Sequence, residues 1–247
     1  MIETLLNLAF ILTRLSGFFL VVPVFSWRAI PARIKMCLIL ILTMVFIYTT
    51  PRPLNLASVK PLYILLLMVN EATYGLALGL IIMILFSIIK CAGNIIERQL
   101  GFTMSRIIDP MSGTNTQPMG GFLEILFILL LLQVNAHHVF IRIIFRSYET
   151  FPVGTIPCIE VLTECLIKTT SIFFTASLRL AAPVLAAFLI LLVVLGIMAR
   201  IVPEMNILFV SMPVRVGLGL AMTILMLPFV MEFVSEFADM MNKLLPV

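Results

Sequence analysis

The sequence predicts an all-α integral membrane protein built from about six long hydrophobic helices, and three observations predict it. Of 247 residues, 62% are hydrophobic and 11% are charged, at a mean hydropathy of +1.20. Soluble domains carry about 25% charged residues, so a water-facing surface cannot be covered here. The apolar residues also fall in long unbroken runs instead of the alternation that a transmembrane barrel requires. Finally, several runs reach or exceed the roughly 20 residues a helix needs to cross hydrocarbon, where backbone polar groups must be satisfied within the segment.

The runs are, in order, Leu5 to Phe25, Met36 to Tyr48, Leu62 to Ile89, Phe122 to Ile144, Ile172 to Met198 and Ile207 to Val234. The second is short for a crossing, while the third, fifth and sixth are long, so some helices are not expected to lie in an ordinary bilayer slab. The first reads as a retained membrane anchor. Turns separate the runs: Trp27 to Lys35 carries Pro31 and three basic residues, Pro51 to Pro61 carries three prolines, and Phe151 to Pro157 carries two. Cys91 to Arg106 can extend the third helix. Beyond it, Asp109 to Gly121 cannot be helical throughout, because two prolines, three glycines and a polar set make a flexible loop.

Basic residues Arg28, Arg33, Lys35, Lys90, Arg98, Arg106 and Arg200 favour loops one, three and five on the cytoplasmic side. Both termini are then extracytoplasmic, although Arg142, Arg146 and Lys168 oppose that bias. The net charge of +4 is scattered between apolar runs and forms no stripe for nucleic acid. Cys37, Cys91, Cys158 and Cys165 show no C-x-x-C spacing, and no disulfide framework is expected.

Motifs for hydrolysis, metalloprotease chemistry or nucleotide binding are missing, so the chain is not expected to be an enzyme. The only histidines, His137 and His138, are adjacent and point roughly 100° apart on a helix, poor geometry for one shared metal. Interhelical hydrogen bonding suits them better. Arg14, Glu71, Arg179 and Arg215 fall within or beside apolar runs, where a charge costs about 2.5 to 3.5 kcal/mol by insertion measurements and must face protein or water. An ion or substrate path is one reading, and paired interhelical contacts carry more weight. Gly75 with Gly79, Ala182 with Ala186, and Gly217 with Ala221 set small residues at four-residue spacing, which permits close helix packing inside the chain or with other subunits. Sixteen methionines supply adaptable packing or a flexible apolar lining for a variable cargo.

Ordered motifs then point to a family. GFTMSRIIDPMSGTNTQPMGGFL at Gly101 to Leu123, NAHH at Asn135 to His138 and FPVG at Phe151 to Gly154 resemble FliR, the flagellar export-gate family related to the SctT component of type III secretion. RLSGFFLVVPVF and RAIPARIK near the start, and GIMARIVPEMNILFVSMPVRVGLGL near the end, agree in order. Two positions depart from the family pattern: Glu204 stands where glutamine is usual, and Ala136 where glycine is expected. The paired histidines are more similar to the flagellar branch than to the injectisome branch.

The resemblance implies one 247-residue membrane domain whose first four helices, residues 1–155, are FliP-like and whose last two, residues 156–247, form a FliQ-like hairpin. It implies a hetero-oligomer with FliP-like and FliQ-like subunits, an FlhB-like neighbour, unfolded flagellar proteins as cargo, the bacterial inner membrane and flagellar basal body as location, and neither metal nor other cofactor. Residues Asp109, Pro110, Met111, Ser112, Gly113, Thr114, Asn115, Thr116, Gln117, Pro118, Met119, Gly120 and Gly121 are expected to plug the pore, with Met111 and Met119 as apolar seals. Arg200, Pro203, Glu204 and Asn206 are expected at a cytoplasmic entrance turn, where Arg200 and Glu204 pair only if the helix continues through Pro203. A small-solute secondary transporter is the alternative, weakened by the lack of convincing inverted repeats.

Overall fold

A computed structural model describes residues 2–23, 31–49, 61–101, 118–155, 159–204 and 206–244. The described residues form seven helices: α1 Ile2–Val21, α2 Ala32–Thr49, α3 Pro61–Leu100, α4 Pro118–Gln133, α5 His137–Thr150, α6 Ile159–Ile201 and α7 Ile207–Leu244. Four are long and apolar enough to cross a membrane, or five if the bent pair α4 and α5 makes one span. The expectation of six spans is not confirmed among the described residues, and two runs account for the difference. The run from Phe122 to Ile144 is not one helix, because Asn135 sits at φ 57°, a left-handed conformation that asparagine tolerates better than most residues, and the axis turns by 74°. The run from Met36 to Tyr48 is helical within α2, which is not among the helices counted as long and apolar enough to cross a membrane.

Local chemistry explains the boundaries. Proline opens α3 and α4 at the first helical position, where its missing N–H is no loss. Gly101 ends α3 at φ 82°, its amide bonded to the Arg98 carbonyl at 3.3 Å. The extension of the third helix expected up to Arg106 therefore stops at Leu100. After α5, the Phe151 amide closes on the Ser147 carbonyl at 3.0 Å and Gly154 takes φ 83° in the following turn.

Helices α3, α6 and α7 hold 40, 43 and 38 residues. At about 1.5 Å per residue, α6 is roughly 65 Å long, about twice the thickness of the hydrocarbon core. Fitting it entirely inside would need a tilt of about 60°, outside the observed range of about 0 to 40°. Pro183 lies inside α6, and Pro213 and Pro228 lie inside α7, each removing one intrahelical hydrogen bond.

Packing divides the chain into two units. The first is drawn from residues 1–86, 132–171 and 237–247, and the second from residues 87–131 and 172–236. In the first, α1 crosses α3 through glycines: a Cβ on Gly17 would lie 2.9 Å from the Ala72 carbonyl, one on Gly79 would lie 3.0 Å from that of Phe18, and one on Gly75 would run into the Arg14 carbonyl. The expectation that Gly75 and Gly79 serve close packing thus has a specific partner, α1. Around this crossing, Phe10, Ile11, Leu15, Phe18, Leu78 and Ile81 are buried. Phe86 stacks tilted on Phe140 at 5.9 Å and edge-on to Phe237 at 5.3 Å. In the second unit, Val184, Phe188, Met226 and Val230 are buried, and Phe127 meets Phe233 at 6.0 Å. There the small residue that packs is Gly219, whose added Cβ would strike Leu100 and approach Phe188 to 3.2 Å. Gly217 has open space around it and Ala221 is exposed, so within this chain that expected pair makes no close contact.

Candidate functional site

Three places gather polar groups against the apolar background. In the first unit, Arg14 of α1 and Glu71 of α3 pair at 2.6 Å with both side chains almost fully buried. The remaining donors of Arg14 are used too: Nη1 donates to the Ser147 and Phe151 carbonyls, each at 3.1 Å, and Nη2 to the same Phe151 carbonyl at 3.1 Å. Glu71 accepts the Gly154 amide at 2.9 Å on its second oxygen. The guanidinium also lies over the rings of Tyr74, 4.7 Å away, and Tyr148, 4.3 Å away. This closed set ties α1, α3, α5 and the turn after α5 together. Of the two readings of the interior charges, paired interhelical contact describes Arg14 and Glu71. Sequence spacing could not reveal the pair, because the partners lie on different helices.

The other two interior arginines lack such closure. Arg179 of α6 is three-quarters exposed and reaches Glu236 only at 3.9 Å. Arg215 of α7 keeps a buried Nε without a hydrogen-bond partner.

The second place is the corner between α3 and α4, in the second unit. Glu97, 2% exposed, accepts the Met119 amide at 3.2 Å on Oε2. Gly93 and Gly120 bring the two backbones together, since a Cβ on Gly93 would lie 2.7 Å from the Gly120 Cα, and one on Gly120 would strike the Asn94 carboxamide. Lys90 and Glu124 pair at 3.1 Å on a half-open surface. Sequence reasoning missed Glu97; the available signal was an acid within an apolar helix, seven residues after Lys90 and four after Gly93.

This corner revises the expected plug. Pro118, Met119, Gly120 and Gly121 are the first turn of α4, not loop, because Pro118 pre-sets helical φ and a continuous apolar run follows. Met119 and Gly120 are buried against α3, so Met119 is held in place and Gly120 serves close approach. Gly121 has no neighbour that a Cβ would meet. Asp109 to Gln117 lie outside the described residues.

The third place is the turn between α6 and α7. Helix α6 ends at Ile201, with the Val202 amide bonded to the Met198 carbonyl at 3.0 Å, and Pro203 and Glu204 form the turn. The Phe209 amide bonds to the Asn206 carbonyl at 3.1 Å as α7 starts. Pro203 therefore breaks the helix, and the geometry that would pair Arg200 with Glu204 at one-turn spacing is not formed. Both side chains are exposed. Leu195, Met198, Val202, Ile207 and Val210 face one another beneath the turn.

His138 lies exposed in the first turn of α5. Among the described residues, no group of three or more His, Cys, Asp or Glu side chains could hold a metal ion. Cys37, Cys91 and Cys165 are free thiols.

The apolar helices make this a membrane protein. Comparison with known proteins gives the family. The family model described as "Bacterial export proteins, family 1" matches residues 5–241. The flagellar biosynthetic protein FliR of Bacillus subtilis (strain 168) is 30% identical over 214 residues, covering 85% of this chain and 82% of that one. FliR of Escherichia coli (strain K12) is 28% identical over 234 residues, covering 94% and 89%. FliR of Pectobacterium carotovorum is 30% identical over 227 residues, covering 90% and 86%. With nearly its whole length matched and its motifs in order, the chain belongs to bacterial export protein family 1, on the flagellar FliR branch, and is a component of flagellar protein export.

Proposed function

We propose that this chain is one subunit of the flagellar export gate in the bacterial inner membrane, closing a helical ring with FliP-like and FliQ-like subunits around the pore for unfolded flagellar proteins. Residues 1–155 take the FliP-like place and residues 156–247 the FliQ-like one, with an FlhB-like subunit beside them. The observation that carries this reading is the state of the last two helices. The apolar spans of α6 and α7 run for 42 and 29 residues, yet only 28% and 22% of each is buried by the chain itself. One of them is too long for the bilayer, and α6 carries the exposed Arg179 in an apolar stretch where lipid contact is costly. Neighbouring subunits that cover these faces remove both problems. Gly217, where an added Cβ would meet no described atom, and the exposed Ala221 suit close approach of such a neighbour.

Residues 109–117 act in this reading as the plug that occludes the pore at rest. Met111 is the apolar seal, and Gly113 gives the backbone freedom that displacement by an incoming chain needs.

Two measurements test the proposal. Co-expression with both partner types followed by mild-detergent purification and native mass measurement is expected to give a stable hetero-oligomer and a raised yield. A monodisperse, heat-resistant monomer that ignores its partners would reject the assembly. Deleting Ser112 to Gln117 in cells that express the whole gate is expected to raise ion conductance or dye entry. Unchanged leakage, with assembly confirmed, leaves the segment as a connector.

A further inference from the structure

We propose that Glu97 is a positioning residue of the export machinery: its buried carboxylate holds the start of α4 against α3 and so fixes where the chain returns after residues 102–117. A carboxylate that is 2% exposed in an apolar helix persists only where its charge is answered. Part of that answer is the N-terminus of α4. Pro118 has no N–H, so the Met119 amide is the first free donor of that helix, and Glu97 accepts it at 3.2 Å. The positive end of the helix dipole adds to the attraction.

The neighbouring contacts give this bond no slack. Lys90, Gly93 with Asn94, and Glu97 succeed one another along one face of α3, and meet Glu124, Gly120 and Met119 in the reverse order along α4. The central contact is backbone against backbone, so close that a Cβ added to Gly93 would lie 2.7 Å from the Gly120 Cα. Helix α3 ends at Gly101, about 6 Å of helical rise beyond Glu97. Gly101 and Pro118, 17 residues apart in sequence, therefore lie at the same corner. The functional half of the proposal rests on the export-gate reading, whereas the anchoring contact does not.

The test uses the purified hetero-oligomer in nanodiscs and amide hydrogen exchange of the peptide spanning residues 118–124. Glu97→Leu keeps the bulk but removes the acceptor, and Glu97→Gln keeps an acceptor oxygen without the charge. Glu97→Leu is expected to speed exchange about tenfold, with Glu97→Gln close to wild type. In cells, motility is expected to fall with Glu97→Leu and to recover with Glu97→Gln, while the native mass of the assembly stays the same. Gly93→Ala pushes α3 and α4 apart at Gly120 without touching Glu97, and is expected to raise the same exchange. Unchanged exchange in Glu97→Leu overturns the anchor. Faster exchange with wild-type motility overturns the positioning role. Unchanged leakage on deletion of Ser112 to Gln117 rejects the plug instead, and leaves the exchange result on Glu97 standing.

Discussion

The crossing of α1 with the first half of α3 and the pair of long helices α6 and α7 solve the problem of apolar sequence in opposite ways. The apolar spans of α1 and α3 are 44% and 56% buried within the chain, those of α6 and α7 28% and 22%. The charges follow the same division. Arg14 and Glu71 are enclosed with their donors and acceptors used, while Arg179 is exposed and Arg215 leaves a buried Nε unpaired. Glycines repeat it: Gly75 is pressed onto the Arg14 backbone, and Gly217 faces open space. The first region answers its buried charges within the chain, and the second leaves most of its apolar surface uncovered by it.

The largest expected effect tests the self-sufficient side. Glu71→Ala strands the Arg14 guanidinium in an apolar site and also removes the acceptor of the Gly154 amide. Removing one partner of a buried pair costs about 3 to 5 kcal/mol, so the purified hetero-oligomer should melt at a markedly lower temperature. Because the penalty comes from the stranded charge, Arg14→Leu combined with Glu71→Leu should recover a large part of it. A single Glu71→Ala variant that melts like wild type in detergent would break the contrast between the two regions.

A smaller effect separates the glycines. Gly75→Ala places a methyl group against the Arg14 carbonyl, and backbone must shift, at a cost of about 1 to 3 kcal/mol. Gly217→Ala meets no atom of this chain, so the melting of the lone chain should not change. In the co-expressed assembly, the same variant should lower the yield of hetero-oligomer. Equal losses of stability in the lone chain for both variants would mean that the open face of α7 is not open.

The smallest effect lies at the α6–α7 turn. Since Glu204 is exposed and the helix ends before it, Glu204→Gln should alter stability by no more than about 0.5 kcal/mol and leave export intact. Arg200→Glu, equally harmless to folding, should reduce motility if the turn lies at the entrance to the pore. Wild-type swimming by that variant would remove the turn from the export path.

Helix type and approximate position were legible because hydropathy and proline or glycine punctuation act locally. Pro61 and Pro118 opened helices, and Gly101 closed one, for reasons visible within a few residues. Asn135 was less legible: the residues around it are apolar enough to continue a span, and a single left-handed φ divides the run. The end of the expected loop was misplaced for a related reason, since Gly120 looks like a source of freedom until α3 is seen packed against it.

By itself, the sequence determined that this protein is helical, membrane-embedded and a member of its export family, because apolar run length and ordered motifs are properties of a linear chain. Only the tertiary structure decided which charge answers which. Arg14 and Glu71 are 57 residues apart and Glu97 and Met119 are 22 apart, separations at which no periodicity couples two positions. Such pairs are chosen by helix crossings, where the cost of an unpaired buried group outweighs any preference written locally.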